Sequence, residues 1–215
     1  MVRVILLDFD GVIAESVEIK TKAFQKLFED EGADVMEQVR DYHLQHGGVS
    51  RFEKFRYFYD EILKRPLSEK TFQDLCDRFS RLVIDEVVDS PYVSGAREFI
   101  EEYAIRCALF VTSATPQQEI EEIMRRRDLD RFFKRIYGAP KSKSDAVREI
   151  IKSEKISPGE TVYIGDALSD YEAARDNNIV FIARIGNSEA EALFRDLPCA
   201  KVTDLTCVRD IINAL

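Results

Sequence analysis

The feature that most constrains this chain is the stretch "VILLDFDGVIAES", residues 4–16, an unbroken apolar run closed by Asp8, Asp10 and Gly11. A continuous Val/Ile/Leu run suits a strand covered on both faces, as in a parallel sheet, because a strand with one wet face alternates apolar and polar residues. Comparable runs recur at "CALFVTS", "RIYG", "TVYIGD", "VFIARI" and "AKVT". Helical stretches lie between them. "PQQEIEEIMRRR" follows Thr115 as a candidate N-cap with Pro116 in its first turn, "SDAVREIIKSEK" has Ser144 as its candidate cap, and "SDYEAARDNN" closes in asparagines. Strands alternating with helices predict an α/β class, a doubly wound parallel sheet.

Residues 15–89 break that rhythm, offering amphipathic helical stretches and no strand. In "TKAFQKLFEDEG", Ala23, Phe24, Leu27 and Phe28 share a face and Gly32 is expected to stop the run; "RFEKFRYFYDEILKRP" and "SEKTFQDLCDRFSRLVIDEVV" follow. The pattern predicts an α/β core of residues 1–14 and 90–215 with a helical segment, 15–89, inserted after the first strand. An insertion there stands above the carboxyl edge of the sheet, where open α/β sheets bind ligands.

Charge narrows the function. Lys and Arg total 31 against 40 Asp and Glu, a net charge of -9, which argues against a nucleic-acid partner, since such partners require a basic face. It does not exclude an anionic substrate, because a metal ion and a few local cations can invert the field inside a pocket. No apolar run approaches the roughly 20 residues needed to span a bilayer, so no membrane partner is expected. The first strand begins at the N-terminus, where a signal peptide would otherwise stand. Cys76, Cys107, Cys199 and Cys207 are scattered without a CxxC pair, and we read them as reduced packing residues of a cytoplasmic protein.

Two carboxylates as close as Asp8 and Asp10 repel unless a cation lies between them. They converge if the strand continues through both and diverge if it ends between them. "TVYIGDALSD" ends a second buried run in Asp166, with Asp170 one helical turn on. Both acidic clusters belong to one sheet edge, a setting for a hard divalent cation, most simply Mg²⁺; Asp170 also suits a helix cap. "LFVTSATP" brings Thr112 and Ser113 to a third strand end, where a hydroxyl and a backbone N–H can hold a phosphate oxygen. "GAPKSKSDAV" offers Lys141 or Lys143 as a neutralising ammonium beside Asp8.

This ordered set of strand-DxD, strand-Thr/Ser, loop-Lys and strand-GDxxxD resembles the haloacid dehalogenase superfamily of aspartate-nucleophile phosphotransferases, in the helical-cap branch of phosphoglycolate phosphatase and β-phosphoglucomutase. The resemblance implies a Rossmann-like core with an α-helical cap. Asp8 would be the nucleophile and Asp10 the acid–base. Asp8, Asp10 (through its carbonyl), Asp166 and Asp170 would surround Mg²⁺. Thr112, Ser113 and Lys143, whose spacing fits the family better than that of Lys141, would hold the phosphoryl group. An acid at position 10 favours phosphate esters over dehalogenation, since an alkoxide leaving group needs a proton.

"HGGVSRFEK" is similar to the β-phosphoglucomutase cap loop, which implies that Arg51 contacts the distal end of the substrate while Gly47 and Gly48 permit close approach. That mutase carries a histidine in its first cap helix where this chain has Lys20. The expected activity is therefore hydrolysis of a small phosphorylated metabolite, a sugar phosphate among the candidates, with a sugar phosphomutase or a non-catalytic binding protein as the alternatives. His43 and His46 are read as structural or exposed. Neither substrate identity nor oligomeric state is readable from these residues.

Overall fold

Val4–Leu7 forms the first strand, β1, and all four of its side chains are buried. The computed structural model, which describes residues 1–215, sets β1 inside a six-stranded parallel sheet. The other strands are β2 (Ala108–Pro116), β3 (Arg135–Ala139), β4 (Thr161–Gly165), β5 (Val180–Arg184) and β6 (Ala200–Val202). Their order is β3-β2-β1-β4-β5-β6. Leu7 pairs with Val111 on one side and Ile164 on the other, so Asp8 emerges level with the neighbouring strand tips. The chain builds outward from β1 to β3, then crosses back to β4, and that reversal opens a crevice at the carboxyl ends of β1 and β4.

After β1 and before residue 90 the chain runs through four helices: α1 (Val17–Leu27), α2 (Ala33–Gln45), α3 (Arg51–Tyr57), extended by a wider turn at Phe58–Ile62, and α4 (Glu69–Asp89). The first stops at Leu27 rather than running to Gly32. A tight turn at Glu29–Glu31 intervenes, and Gly32, at φ 96°, supplies the positive φ from which α2 starts. Phe24, Phe28, Phe55, Phe58 and Phe79 are all buried and fill the space between these helices. Edge-to-face pairs such as Phe24–Phe58 and Phe28–Phe58, with centroids 5.6 and 5.4 Å apart, each add about 0.5–1.5 kcal/mol beyond area burial. Arg127 ties the end of α4 to the sheet domain, donating to the carbonyls of Val87, Val88 and Ser90 at 2.8–2.9 Å. A cation there also complements the negative end of the helix dipole.

The sheet is covered on both faces. Period-two geometry sends Ile5 and Leu7 toward α5 (Ala96–Tyr103) and α6 (Gln117–Arg126), and Val4 and Leu6 toward α7 (Lys143–Glu154) and α8 (Leu168–Asp176). Two shorter helices, α9 (Ser188–Phe194) and α10 (Val208–Asn213), complete the two layers. Each buried Val, Leu or Ile contributes roughly 1.5–3 kcal/mol relative to exposure, so the run Val4–Leu7 holds its register firmly.

Two capping expectations differ from what is found. The cap of α7 is Ser142, which accepts from the Asp145 N–H at 3.1 Å. Ser144 lies inside the first turn, and the helix therefore begins at Lys143 itself. Thr115 does not cap α6, because β2 continues through Pro116 and the Thr115 hydroxyl is engaged with Lys20 and Asp10.

Candidate active site

Because β1 ends at Leu7, Asp8 and Asp10 diverge. Asp8 turns toward the α7–α8 layer, where one carboxylate oxygen accepts from the Phe9 N–H at 2.6 Å and the other from Lys143 Nζ at 2.7 Å. Asp10 turns toward the inserted helices. It accepts from the Ser16 hydroxyl at 2.6 Å, from Lys20 of α1, and from Thr115 at 3.3 Å, while Lys20 also donates to the Thr115 hydroxyl at 2.7 Å.

Lys143 reaches its place because it is the first residue of α7. Its ammonium lies 2.6 Å from Asp170 as well as 2.7 Å from Asp8, and is almost fully buried between them. Lys141 is turned outward onto Glu149 instead. Asp170 serves two ends at once: one oxygen meets Lys143 and the Tyr163 hydroxyl, while the other accepts from the Ala167 N–H at 3.1 Å, closing the first turn of α8. Asp166 stands just beyond β4 and accepts no hydrogen bond from the protein.

Asp8, Asp166 and Asp170 each offer an oxygen, and all three oxygens lie within 4.8 Å of one another. A Cβ at position 11 would collide with the Asp166 carboxylate, and Gly11 has φ +74°, so only glycine fits the turn that brings these groups together.

The electrostatics follow from that crowding. Burial, with Asp170 and Asp10 adding to it, raises the Asp8 carboxyl to about 7 although Lys143 opposes the shift. Burial and Asp8 push Asp166 well above the ordinary carboxylate range. Asp10 goes the other way: burial would raise it, but Lys20, Ser16 and Thr115 hold it below its ordinary value. Lys143 remains firmly protonated, since Asp170 and Asp8 outweigh its burial. Three carboxylates around one ammonium, one of them without any partner, form an oxygen donor set deficient in positive charge. These residues fit a divalent cation.

Above the acidic cluster lies a cavity of about 110 Å³ lined by Asp8, Asp10 and Asp166 from the sheet edge, and by Lys20, His43 and Lys54 from the inserted helices. Arg51 also borders it, but its guanidinium is bound to Glu119 of α6, at 2.5 and 3.1 Å, and to Ser80 of α4 at 2.9 Å. Gly48 has φ +73° and sits against α7 and α8, where a Cβ would strike Ser169 and come within 3.1 Å of Lys143 Nζ. Gly47 accepts a long hydrogen bond from Ser169 at 3.4 Å.

Thr112 and Ser113 are both buried. The Thr112 hydroxyl donates to Tyr163 at 2.5 Å and that of Ser113 accepts from the Thr115 N–H at 3.1 Å, so it is Ala114 and Thr115 of β2 that border the cavity. His43 is buried against Lys54, whereas His46 is exposed and stacks on Tyr42.

Sequence reasoning passed over Lys20, Thr115 and Lys54 as site residues. The one available signal was Lys20, a cation one residue class away from the histidine of the similar mutase. No helix of the chain is long and apolar enough to cross a membrane.

The fold is a parallel α/β sheet whose central strand tips bring together carboxylates that fit a divalent cation. The chain belongs to the haloacid dehalogenase-like hydrolases, whose family pattern it matches over residues 5–184, and it is therefore an enzyme. It is 25% identical over 218 residues to the phosphorylated carbohydrates phosphatase of Thermotoga maritima, covering 98% of this chain and 97% of that one. Its fold is similar to a haloacid dehalogenase-like family hydrolase from Streptococcus pneumoniae (TM-score 0.73, 15% identity, 100% and 99% of the two chains). It is also similar to YfnB of Bacillus subtilis, solved bound to magnesium (TM-score 0.74, 18% identity, 99% of each chain).

Proposed function

We propose that the protein is a Mg²⁺-dependent phosphatase that hydrolyses a small phosphate monoester through an aspartyl-phosphate on Asp8, with residues 15–89 acting as a cap over the core of 1–14 and 90–215. The observation that carries this reading is the placement of Asp8. It is a buried carboxylate at the tip of a central strand, paired with Lys143 and gathered with Asp166 and Asp170, with the cavity directly above it. Relatives named as phosphatases support the same reaction class.

Asp8, Asp166, Asp170 and the Asp10 carbonyl would hold the cation, whose positive charge lets an anionic nucleophile approach an anionic phosphoryl group. In the first half-reaction an Asp8 oxygen forms a bond to phosphorus as the ester P–O bond breaks, and Asp10 gives its proton to the departing alkoxide. In the second, Asp10 takes a proton from water as that water's oxygen bonds to phosphorus, and the bond from phosphorus to Asp8 breaks to release inorganic phosphate.

Lys143 balances charge on Asp8 throughout. Lys20 and Thr115 keep Asp10 ionised in the state seen here, which suits the second half-reaction. Loading Asp10 with a proton for the first requires Lys20 to withdraw, and Lys20 is carried by α1 of the cap. The proton that Asp10 takes from water in the second half-reaction is the one it gives in the next turnover, and cap opening would let Asp10 keep it while product leaves.

Turnover of para-nitrophenyl phosphate with Mg²⁺ tests the reading. Wild type should release phosphate, and Asp8→Asn should abolish turnover while keeping the native circular dichroism and a cooperative melting transition. Surviving activity in Asp8→Asn removes Asp8 as the nucleophile. Conversion of sugar 1-phosphates to 6-phosphates with a bisphosphate activator, without phosphate release, replaces the phosphatase reading with the mutase.

A further inference from the structure

The cations around the cavity are not equivalent. Lys20 is matched by Asp10, Lys143 by Asp8 and Asp170, and Arg51 by Glu119. Lys54, one turn beyond Arg51 on α3, has no carboxylate. Its ammonium is fully buried and bonds only to His43, with Nδ1 at 2.7 Å and the carbonyl oxygen at 3.4 Å.

An ammonium carries three N–H donors, so one is left without a protein acceptor. Accepting at Nδ1 makes His43 the neutral tautomer with its proton on Nε2, in keeping with burial and the Lys54 charge, which hold its pKa far below the ordinary histidine value. The His43 ring thus contributes no negative charge. Phe24, 5.6 Å from the ammonium to its ring centroid, offers only a weak cation–π contact. Burying a cation without a counter-charge is costly, and burial together with Lys20 pulls the Lys54 pKa down to about 7. The charges of Lys20, Asp10 and Lys143, which belong to the site below, are the ones it feels most strongly.

A core lysine kept only for packing would gain from replacement by an apolar residue. One that borders a ligand cavity with a spare donor gains its missing partner when an anion arrives. We propose that Lys54 is a specificity-determining residue that receives a second anionic group, a carboxylate or a phosphate, carried by the same small phosphate monoester whose phosphoryl group lies at Asp8. This deepens the phosphatase reading and rests on it for where the first anion sits. Asp8 and Lys54 line the same cavity of about 110 Å³, so one small molecule can present an anion to each.

Non-hydrolysable ligands test this independently of turnover. Wild-type protein with Mg²⁺ is titrated calorimetrically with 3-phosphonopropionate, with ethylene-1,2-bisphosphonate, and with the neutral-ended 3-hydroxypropylphosphonate. A charge-assisted contact should make at least one of the ligands with two anionic groups bind about tenfold or more tightly than the hydroxyl ligand, and whichever does so identifies the second group as carboxylate or phosphate. Lys54→Met should collapse that preference to about twofold or less, and Lys54→Arg should restore part of it. Equal affinity for all three ligands in wild type overturns the proposal without any variant needing to fold, and so does a preference that survives in folded Lys54→Met. A preference in a protein that hydrolyses no ester leaves Lys54 as the anion receiver and removes the hydrolytic reading; hydrolysis without a preference does the reverse.

Discussion

Lys143 stands between Asp8 and Asp170, 2.7 and 2.6 Å from their oxygens, and burial would strip its charge were both carboxylates not in contact with it. Removing one member of a buried ionic cluster leaves the others uncompensated, which typically costs about 3–5 kcal/mol. In Lys143→Met the two carboxylates would face each other and Asp166 with no cation among them. We expect that variant, stripped of metal, to unfold in urea with about 3–5 kcal/mol less stability than wild type. Its phosphatase rate should fall by about a hundredfold or more even with Mg²⁺ present, because charge on the phosphoryl group would lose a preorganised partner. A loss below about 1 kcal/mol would mean that protonation of Asp8 alone relieves the repulsion. Lys141 is the natural control: it pairs with Glu149 at the surface, where such pairs are worth about 0–1 kcal/mol.

Among the elements, α3 and α6 meet through Arg51 and Glu119, which join the inserted helices to the sheet domain above the cavity. Both are largely buried, at 4% and 16% side-chain exposure, and Ser80 donates at 2.6 Å to Glu119 Oε1, the oxygen that also accepts from Arg51 Nη1. Glu119→Gln keeps the shape but removes the charge, at a cost of about 1–3 kcal/mol to the closed arrangement. We expect this substitution to enlarge the radius of gyration in small-angle scattering of the free protein, and to raise KM several-fold with a smaller effect on kcat. An unchanged scattering profile would show that the remaining contacts, Lys20 with Asp10 and Gly47 with Ser169, suffice for closure.

The same contacts explain what the sequence could and could not reveal. Alternating buried strands and helices were legible because each apolar run carries its own periodicity, and the strand-tip carboxylates were legible because parallel strands share one edge. Arg51 with Glu119, Lys20 with Thr115 and Thr112 with Tyr163 are separated by 68, 95 and 51 residues, and no local pattern couples them. Hence Arg51 read as free to meet substrate, although the fold gives it a carboxylate. Lys54 drew no reading at all, although the fold leaves it without one. The cap of α7 fell two residues earlier than Ser144 because Ser142 and Asp145 stand at capping distance, a competition that two serines in "KSKSD" leave open.

For the molecule as a whole, the acidic edge links stability to pH and to metal. Burial raises Asp8 from 3.8 to about 7, so the folded protein retains a proton that the unfolded chain has already released between those values. The native state then binds more protons than the unfolded one, and stability falls as pH rises through that window. The Asp8 contribution is fully present below about pH 4 and lost as pH passes about 7, on the order of a few kcal/mol. Asp166 shifts in the same direction. Asp10, held below its ordinary value, contributes stability above that value and loses it only in acid. A divalent cation among Asp8, Asp166 and Asp170 reverses the penalty by favouring the ionised carboxylates, so its effect should grow with pH. At about a hundredfold excess over its dissociation constant a ligand adds about 2.7 kcal/mol, which for a chain of this size is roughly 5–10 °C in Tm. We therefore expect saturating Mg²⁺ to raise the melting temperature of EDTA-treated protein by about that much at pH 7.5 and by much less at pH 5, with Asp166→Asn nearly insensitive at both. An equal shift at the two pH values would place the ion elsewhere on this acidic surface, and no shift in wild type would leave the three carboxylates to share protons rather than a metal.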